Sequence, residues 1–424
     1  MRVRTKARIA AAAGAVIALV VALAACSAEP ETVVTLPPQV DGAFPDAMNA
    51  QFEDAVANAM ASTGASGAIV GVWAPWSGAW TAGRGTQYPG SADEVTTSMS
   101  FRIGQLTRPM TCDVLYAVAA QGTVSLDDPV PMYVSGVADL TDVTLGQLCD
   151  GTSGIGSYAG QLSPLWLTNP VRVWNPRELA SFGLGQERTG EPGESYRDSD
   201  TGYVLLGLAL ERATGKSAAA LIDEYVAAPL GLTGTRLPRG APAAPGDDAL
   251  SGLVSRPVDG GLDCVTPLDI TDMSASIGFT DSGVVSTLED TRRYVQALAS
   301  GASSPADVAD RFDGAEPTYV GAPSWLTAAG GAILAGSLVG QTGSVPGYAT
   351  AAYSDPTTGL TVVVVLNNSA INQAGALAWE LASLASKAPA VDGGSSPEAG
   401  LPWTAEQFHT GIAAQPVCAP PPAG

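Results

Sequence analysis

Runs of residues suited to β-strands stand near both ends of this chain, and helix-forming segments fill the stretch between them. Near the amino end, "GAIVGVWAPWSG" and "AWTAGRG" are joined by Pro75-Trp76-Ser77-Gly78, which is a hairpin signal. Near the carboxyl end, "AAGGAILAGSLVG", "GYATAAYSDP" and "GLTVVVVLNNS" read as three strands, the last two joined by the turn Asp355-Pro356-Thr357-Thr358-Gly359. A sheet must bury its apolar face against another layer, so this order predicts one sheet completed by the two ends, with a helical lobe inserted between them. The fold class expected is α/β of the α+β type: an antiparallel sheet flanked by helices, plus the inserted lobe.

The helices are legible from spacing. Met48, Phe52, Val56 and Met60 recur every fourth residue between Phe44 and Ser62, which predicts an amphipathic helix. A second runs from about Gln105 to Gln121 and stops at Gly122. In the middle, "TGYVLLGLALERATG" is closed by Gly215 and "SAAALIDEYVAAPLG" is opened by Ser217. "GVVSTLEDTRRYVQALASG" reads as a strand end, a Ser-Thr cap and a helix, and a last helix runs from about Ala370 to Lys387. The body is therefore placed at 45–390, and 391–424 is expected to be a Pro/Gly-rich tail, mostly loop.

The first residues form a different unit. Arg2, Arg4, Lys6 and Arg8 precede an uncharged apolar run from Ile9 to Ala25, the layout of a secretory signal peptide and too short for a comfortable membrane span. Leu23-Ala24-Ala25-Cys26 resembles a bacterial lipobox, in which Cys26 is diacylated; a signal peptide with a chance cysteine is the alternative. Residues 1–26 are read as a lipoprotein signal and 27–44 as a flexible, proline-bearing tether. The expected location is outside the cell, anchored by lipid to the outer face of a bacterial plasma membrane. The formal charge is −21, of which the leader contributes +4, so the remainder carries −25. Such a surface repels nucleic acid and anionic headgroups, and no nucleic-acid partner is expected. Cys112, Cys149, Cys264 and Cys418 remain after Cys26; an even count in an exported chain suggests two disulfides, with three pairings open. No zinc-type spacing occurs, and neither metal nor cofactor is expected.

The order of motifs from about residue 45 to 390 resembles that of the penicillin-recognising serine hydrolases, which include class C β-lactamases, D-Ala-D-Ala carboxypeptidases and related esterases. Phe101-Arg102-Ile103-Gly104 is similar to the lead of that family's Phe-x-Ile-Gly-Ser-x-x-Lys motif. "VTLGQLCDGTSGI", "TGYVLLGLALERATGKS", "APLGLTGT" and "SGVVSTLEDTRRYVQAL" resemble further family segments, in order. The resemblance implies a β-lactamase/transpeptidase-like fold and a Cys112–Cys149 disulfide, leaving Cys264 with Cys418.

The chemistry of that family needs a serine and a base within hydrogen-bond reach, and a helix supplies this three residues apart on one face. Here the two positions are Gln105 and Arg108. A primary amide is no nucleophile, and a guanidinium keeps its proton. The Tyr-x-Asn motif corresponds to Asp198-Ser199-Asp200, and the Lys- or His-x-Gly motif to Gln341-Thr342-Gly343. Tyr196 aligns with the aromatic before the second motif and is not assigned the missing phenol's role. After the leader only Lys216, Lys387 and His409 could act as conventional bases, and no Ser-x-x-Lys occurs. His409, in the tail, is read as a solvated residue.

The resemblance makes Arg108 and Asp198 neighbours, so a bidentate guanidinium–carboxylate pair is expected, within contact of Asp198 or Asp200 and completed by Gln105 and Gln341. It also implies an oxyanion hole at the amides of Gln105 and Ser344. Gln105, Arg108, Asp198, Asp200, Gln341 and Ser344 are thus the expected ligand pocket, without catalytic residues. The function expected is an inactive hydrolase-fold lipoprotein that binds a peptidoglycan peptide or another envelope protein. Two alternatives stand beside it: an active hydrolase using Ser199 with Asp198 or Asp200, and an assembly protein whose cleft is unused.

Overall fold

The structure is a computed structural model that describes residues 32–137, 140–239, 244–305, 311–391, 394–397, 400–414 and 418–419. Cys26 and the leader before it lie outside the described residues.

Helix α1 (Asp46–Thr63) leads into the hairpin β1 (Gly67–Ala74) and β2 (Gly78–Gly85). The inserted lobe carries α2 (Thr107–Ala120), α3 (Ala159–Thr168), α4 (Asp200–Thr214) and the hairpin β3 (Leu253–Val258) and β4 (Gly261–Asp269). The chain then returns through α5 (Leu288–Ala299), β5 (Leu326–Ala329), β6 (Ala332–Ala335), β7 (Leu338–Val345), β8 (Tyr348–Ser354) and β9 (Thr361–Leu366) to α6 (Ala374–Ala385). These strands form one antiparallel sheet in the order β2-β1-β9-β8-β7-β6-β5, extended at its edge by Glu316–Pro317. The two ends meet within it, between its second and third strands, where Val70 lies opposite Val364.

The runs "GAIVGVWA" and "TVVVVL" are buried throughout because both faces of the sheet are covered. With a side-chain period of two, Ile69, Val363 and Val365 enter the core on the lobe side. Val70, Val72, Val362 and Val364 enter a second core with Phe52, Leu377 and Leu381 from α1 and α6.

Three expectations are corrected. "AAGGAILAGSLVG" is not one strand: turns at Gly330-Gly331 and Gly336-Ser337, where the three glycines take positive φ, divide it between β5, β6 and β7. Residues 32–44 do not hang free as a tether. The Gln39 amide donates to the carbonyls of Ala74 and Gly78, at 3.2 and 3.1 Å, Val40 N–H donates to Pro75, and Phe44 is buried against Phe52.

The tail, expected to be mostly loop, also holds helix α7 (Ala405–Ala413) among its described residues. Its signal was present in "TAEQFHTGI": Thr404 caps the helix through Gln407 N–H, and Phe408 and Ile412 form an i, i+4 apolar pair. Trp403, Trp379, Trp325 and Phe408 stack edge to face or tilted behind the sheet, with centroids 4.8 to 6.0 Å apart. His409 is not simply solvated, for its Nδ1 lies 2.8 Å from the buried Glu380 carboxylate. That contact raises the His409 pKa, so its contribution is complete below the unfolded value and is lost as pH rises through the folded one. Chemical denaturation of His409→Gln beside the parent chain should show the difference between them narrowing from pH 5 to pH 8.

Both disulfides, Cys112–Cys149 and Cys264–Cys418, are formed. The second fastens the end of the tail to β4, a strand in a stretch read from sequence as loops and helices.

Candidate functional site

The 3₁₀ turn Gly104–Leu106 leads into α2 and sets Gln105 at its start, with Arg108 buried on the first turn. The turn is pinned from two sides. Ile103 N–H donates to the Val284 carbonyl, and Thr350 Oγ1 on β8 donates to the Ile103 carbonyl at 2.8 Å. β7 passes so closely that a Cβ on Gly343 would sit 2.5 Å from Ile103 O and 2.9 Å from Gln105 N. Gly343→Ala should therefore cost roughly 1–3 kcal/mol, measurable by urea denaturation, and shift the backbone at Gln105.

Arg108 bridges two carboxylates. Its Nε donates to Asp281 Oδ1 at 2.8 Å and one terminal nitrogen pairs with Asp198 Oδ1. The same Asp198 oxygen accepts from the Tyr196 hydroxyl at 3.2 Å, and the guanidinium lies 4.7 Å over the Tyr203 ring. Side-chain exposure is 4% for Arg108 and 2% for Asp281, against 64% for Asp198. Burial opposes the Arg108 cation, yet Asp198 and Asp281 outweigh it and hold its pKa well above the ordinary value. Desolvation also opposes the Asp198 anion, but Arg108 holds that carboxyl below its usual range. Solvent screens this exposed half of the network, so the Asp281 half carries most of its weight.

The expected contact of Arg108 with Asp198 is present, but it is not bidentate, Gln105 and Gln341 bond elsewhere, and the second carboxylate is a different one. Asp200 does not face Arg108 or the cleft; it is buried and accepts from Tyr158 N–H at 2.7 Å and Ala159 N–H at 2.9 Å, at the start of α3. The second partner is Asp281, in the one-turn helix Phe279–Ser282. The sequence reading passed over it, because a single Asp in "GFTDSG" carries no spacing signal. Tyr196, given no role from sequence, does reach the centre. Burial and Asp198 raise its pKa, so the phenol stays protonated and cannot act as a base near neutrality. Ser199 Oγ is buried and caps α4, accepting from Gly202 N–H at 3.1 Å.

The remaining polar positions are turned on the protein itself. Gln105 Oε1 accepts from the Ser344 N–H at 2.6 Å, so the side chain replacing the nucleophile fills one of the two expected oxyanion donors. Gln341 Nε2 donates to Gly331 O at 2.8 Å, and its Oε1 accepts from Thr342 N–H at 2.9 Å. A cleft of about 570 Å³ opens above these groups, with Leu326, Ile333, Tyr353 and Trp379 forming an apolar wall that sequence reading did not assign.

The buried cluster has more carboxylates than cations, and protons redress this. Burial and the nearby Asp281 push Asp200 up to about 6, while burial also raises Asp281 against the pull of Arg108. A raised carboxyl contributes stability that is complete below its unfolded value near 4 and is lost as pH rises through about 6. Between pH 4 and 7 the parent chain should lose on the order of 1–3 kcal/mol relative to Asp200→Asn. Parallel slopes for the two in urea denaturation would remove this assignment.

The helix start, the β7 edge and the lobe segment at Asp198 converge on one cleft, and a sequence profile described as beta-lactamase matches residues 52–387. The chain belongs to the beta-lactamase family. Within it, 162 residues are 31% identical to the D-alanyl-D-alanine-carboxypeptidase/endopeptidase AmpH of Escherichia coli, covering 36% of this chain and 40% of that protein. A penicillin-binding protein of Bacillus subtilis is 28% identical over 143 residues, or 33% of this chain and 31% of the relative. The matched segments span less than half of either relative's length. A D-stereospecific amidohydrolase from a Streptomyces species superposes with a TM-score of 0.64 over 74% of this chain and 94% of that one, at 22% identity. That likeness confirms the β-lactamase/transpeptidase-like fold and says nothing of substrate.

Proposed function

We propose that this beta-lactamase family member is a non-catalytic binding module of the cell envelope. The observation that carries the reading is the state of the family's nucleophile position. Gln105 stands there with its amide oxygen on the Ser344 N–H, above an Arg108 fixed between Asp198 and Asp281. Acyl transfer needs an oxygen or sulfur nucleophile, a base that can take its proton and free donors for the developing oxyanion. Gln105 offers no nucleophile, Arg108 keeps its proton, and one donor is already engaged. Ser199, the hydroxyl left for an active alternative, is buried as a helix cap.

The ligand proposed is a peptidoglycan stem peptide or a segment of another envelope protein, seated in the cleft. The two disulfides suit an oxidising compartment and support export. Attachment through an acylated Cys26 belongs to the same proposal, and mass spectrometry of the membrane fraction should find a diacylated cysteine as the first residue. For the silent site, the test is turnover of a chromogenic cephalosporin and an ester panel. No turnover above buffer is expected; turnover abolished by Ser199→Ala would establish the active alternative. Gln105→Ser, Arg108→Lys, Asp198→Tyr and Gln341→His combined serve as the comparison that asks whether the scaffold still supports the chemistry.

A further inference from the structure

We infer that the cleft takes a ligand presenting an ammonium group on an apolar or aromatic body, and that it excludes carboxylates. The inference rests on the binding role proposed above and narrows it: of a stem peptide or envelope-protein segment, the part seated in the cleft carries an ammonium group and is not the carboxylate end. Of the described residues lining the cleft, Arg108 is the sole cation, and it is already paired with Asp198 and with the buried Asp281. Gln341, where the family resemblance places a cationic or basic side chain, is neutral and bonded to Gly331 and Thr342. The charge presented to an incoming group is that of Asp198, 64% exposed. Its Oδ1 serves Arg108 and Tyr196, and among the described residues its Oδ2 has no hydrogen-bond partner.

The other wall supplies the apolar half. Leu326, Ile333, Tyr353 and Trp379 line it, with the Tyr353 and Trp379 ring centroids 5.9 Å apart. Rings of this kind favour an organic cation over an anion of the same shape. A volume of about 570 Å³ holds a dipeptide-sized molecule of this type. A ligand ending in a carboxylate meets Asp198 with no free cation to offset it.

The test uses the full chain in detergent, titrated by calorimetry with phenethylammonium chloride and with 3-phenylpropionate, which has a similar aromatic body and the opposite charge. Saturable binding of the amine is expected, at least tenfold tighter than the acid, weakened tenfold or more by Asp198→Asn, with the preference reversed by Gln341→Lys. Thermal melts of both variants separate lost binding from lost fold, and Gln341→Lys carries the test if Asp198→Asn melts early. Equal or tighter binding of 3-phenylpropionate, or no saturation by the amine, overturns the inference. The non-catalytic reading fails independently, through covalent labelling by a fluorescent penicillin, whatever the amine does.

Discussion

Replacing Arg108 with methionine should destabilise the chain by about 3–5 kcal/mol, because Asp281 would be left buried without its cation. Methionine fills part of the volume, so the loss reports charge more than cavity. Urea denaturation at pH 7 reads the effect directly. The loss should shrink toward pH 5, where Asp281, already raised by burial, can take up a proton. In the Arg108→Met background, Asp281→Asn should recover part of the loss, since the orphaned group is then neutral. A loss below about 1 kcal/mol in the single variant would mean that Arg108 is an idle replacement and not the centre of a closed network.

Arg311→Met should have an effect of the same size for the same reason at a second place. Asp113 on α2 has a side chain with no exposure and pairs with Arg311, whose own side chain is 5% exposed. Tyr294 and Ser303 hydroxyls also donate to Asp113, at 2.7 and 2.9 Å. Arg311 further donates to the carbonyls of Pro109 and Gly330, so it joins the start of α2 to the β5–β6 turn. Loss of the guanidinium strands the Asp113 anion and three hydrogen bonds to carbonyls, for which about 3–5 kcal/mol is expected. Because α2 positions Gln105 and Arg108, this variant should also loosen the cleft, seen as faster amide exchange at Gln105 and Ser344. Unchanged exchange with full loss of stability would show that the two networks are independent.

The parts of this structure legible in sequence are those with a periodic or stereochemical signal. The central strands announce themselves by continuous β-branched runs, the helices by capping residues and fourfold spacing, and the departures from the family motifs by residue type at Gln105, Arg108 and Gln341. Asp281 was not legible, because its role comes from where a one-turn helix places it, some 170 residues from Arg108. Asp200 was misplaced for the complementary reason: adjacency to Asp198 in sequence does not give it the same direction, and it turns to the amides of α3. The wall of Leu326, Ile333, Tyr353 and Trp379 is assembled from four separate elements, each of which reads as ordinary core on its own. Helix α7 is a different case, since its capping signal was present but masked by flanking prolines and glycines.

The measurement closest to the central claim is intact-protein mass spectrometry of the full chain after prolonged exposure to benzylpenicillin at neutral pH. A nucleophile in this cleft would open the lactam and retain it as an acyl adduct of the ligand's mass. With Gln105 closing the oxyanion donor and Arg108 fixed between Asp198 and Asp281, no adduct should appear. An adduct mapped by proteolysis to Ser199, or to any other hydroxyl bordering the cleft, would contradict the silent site outright.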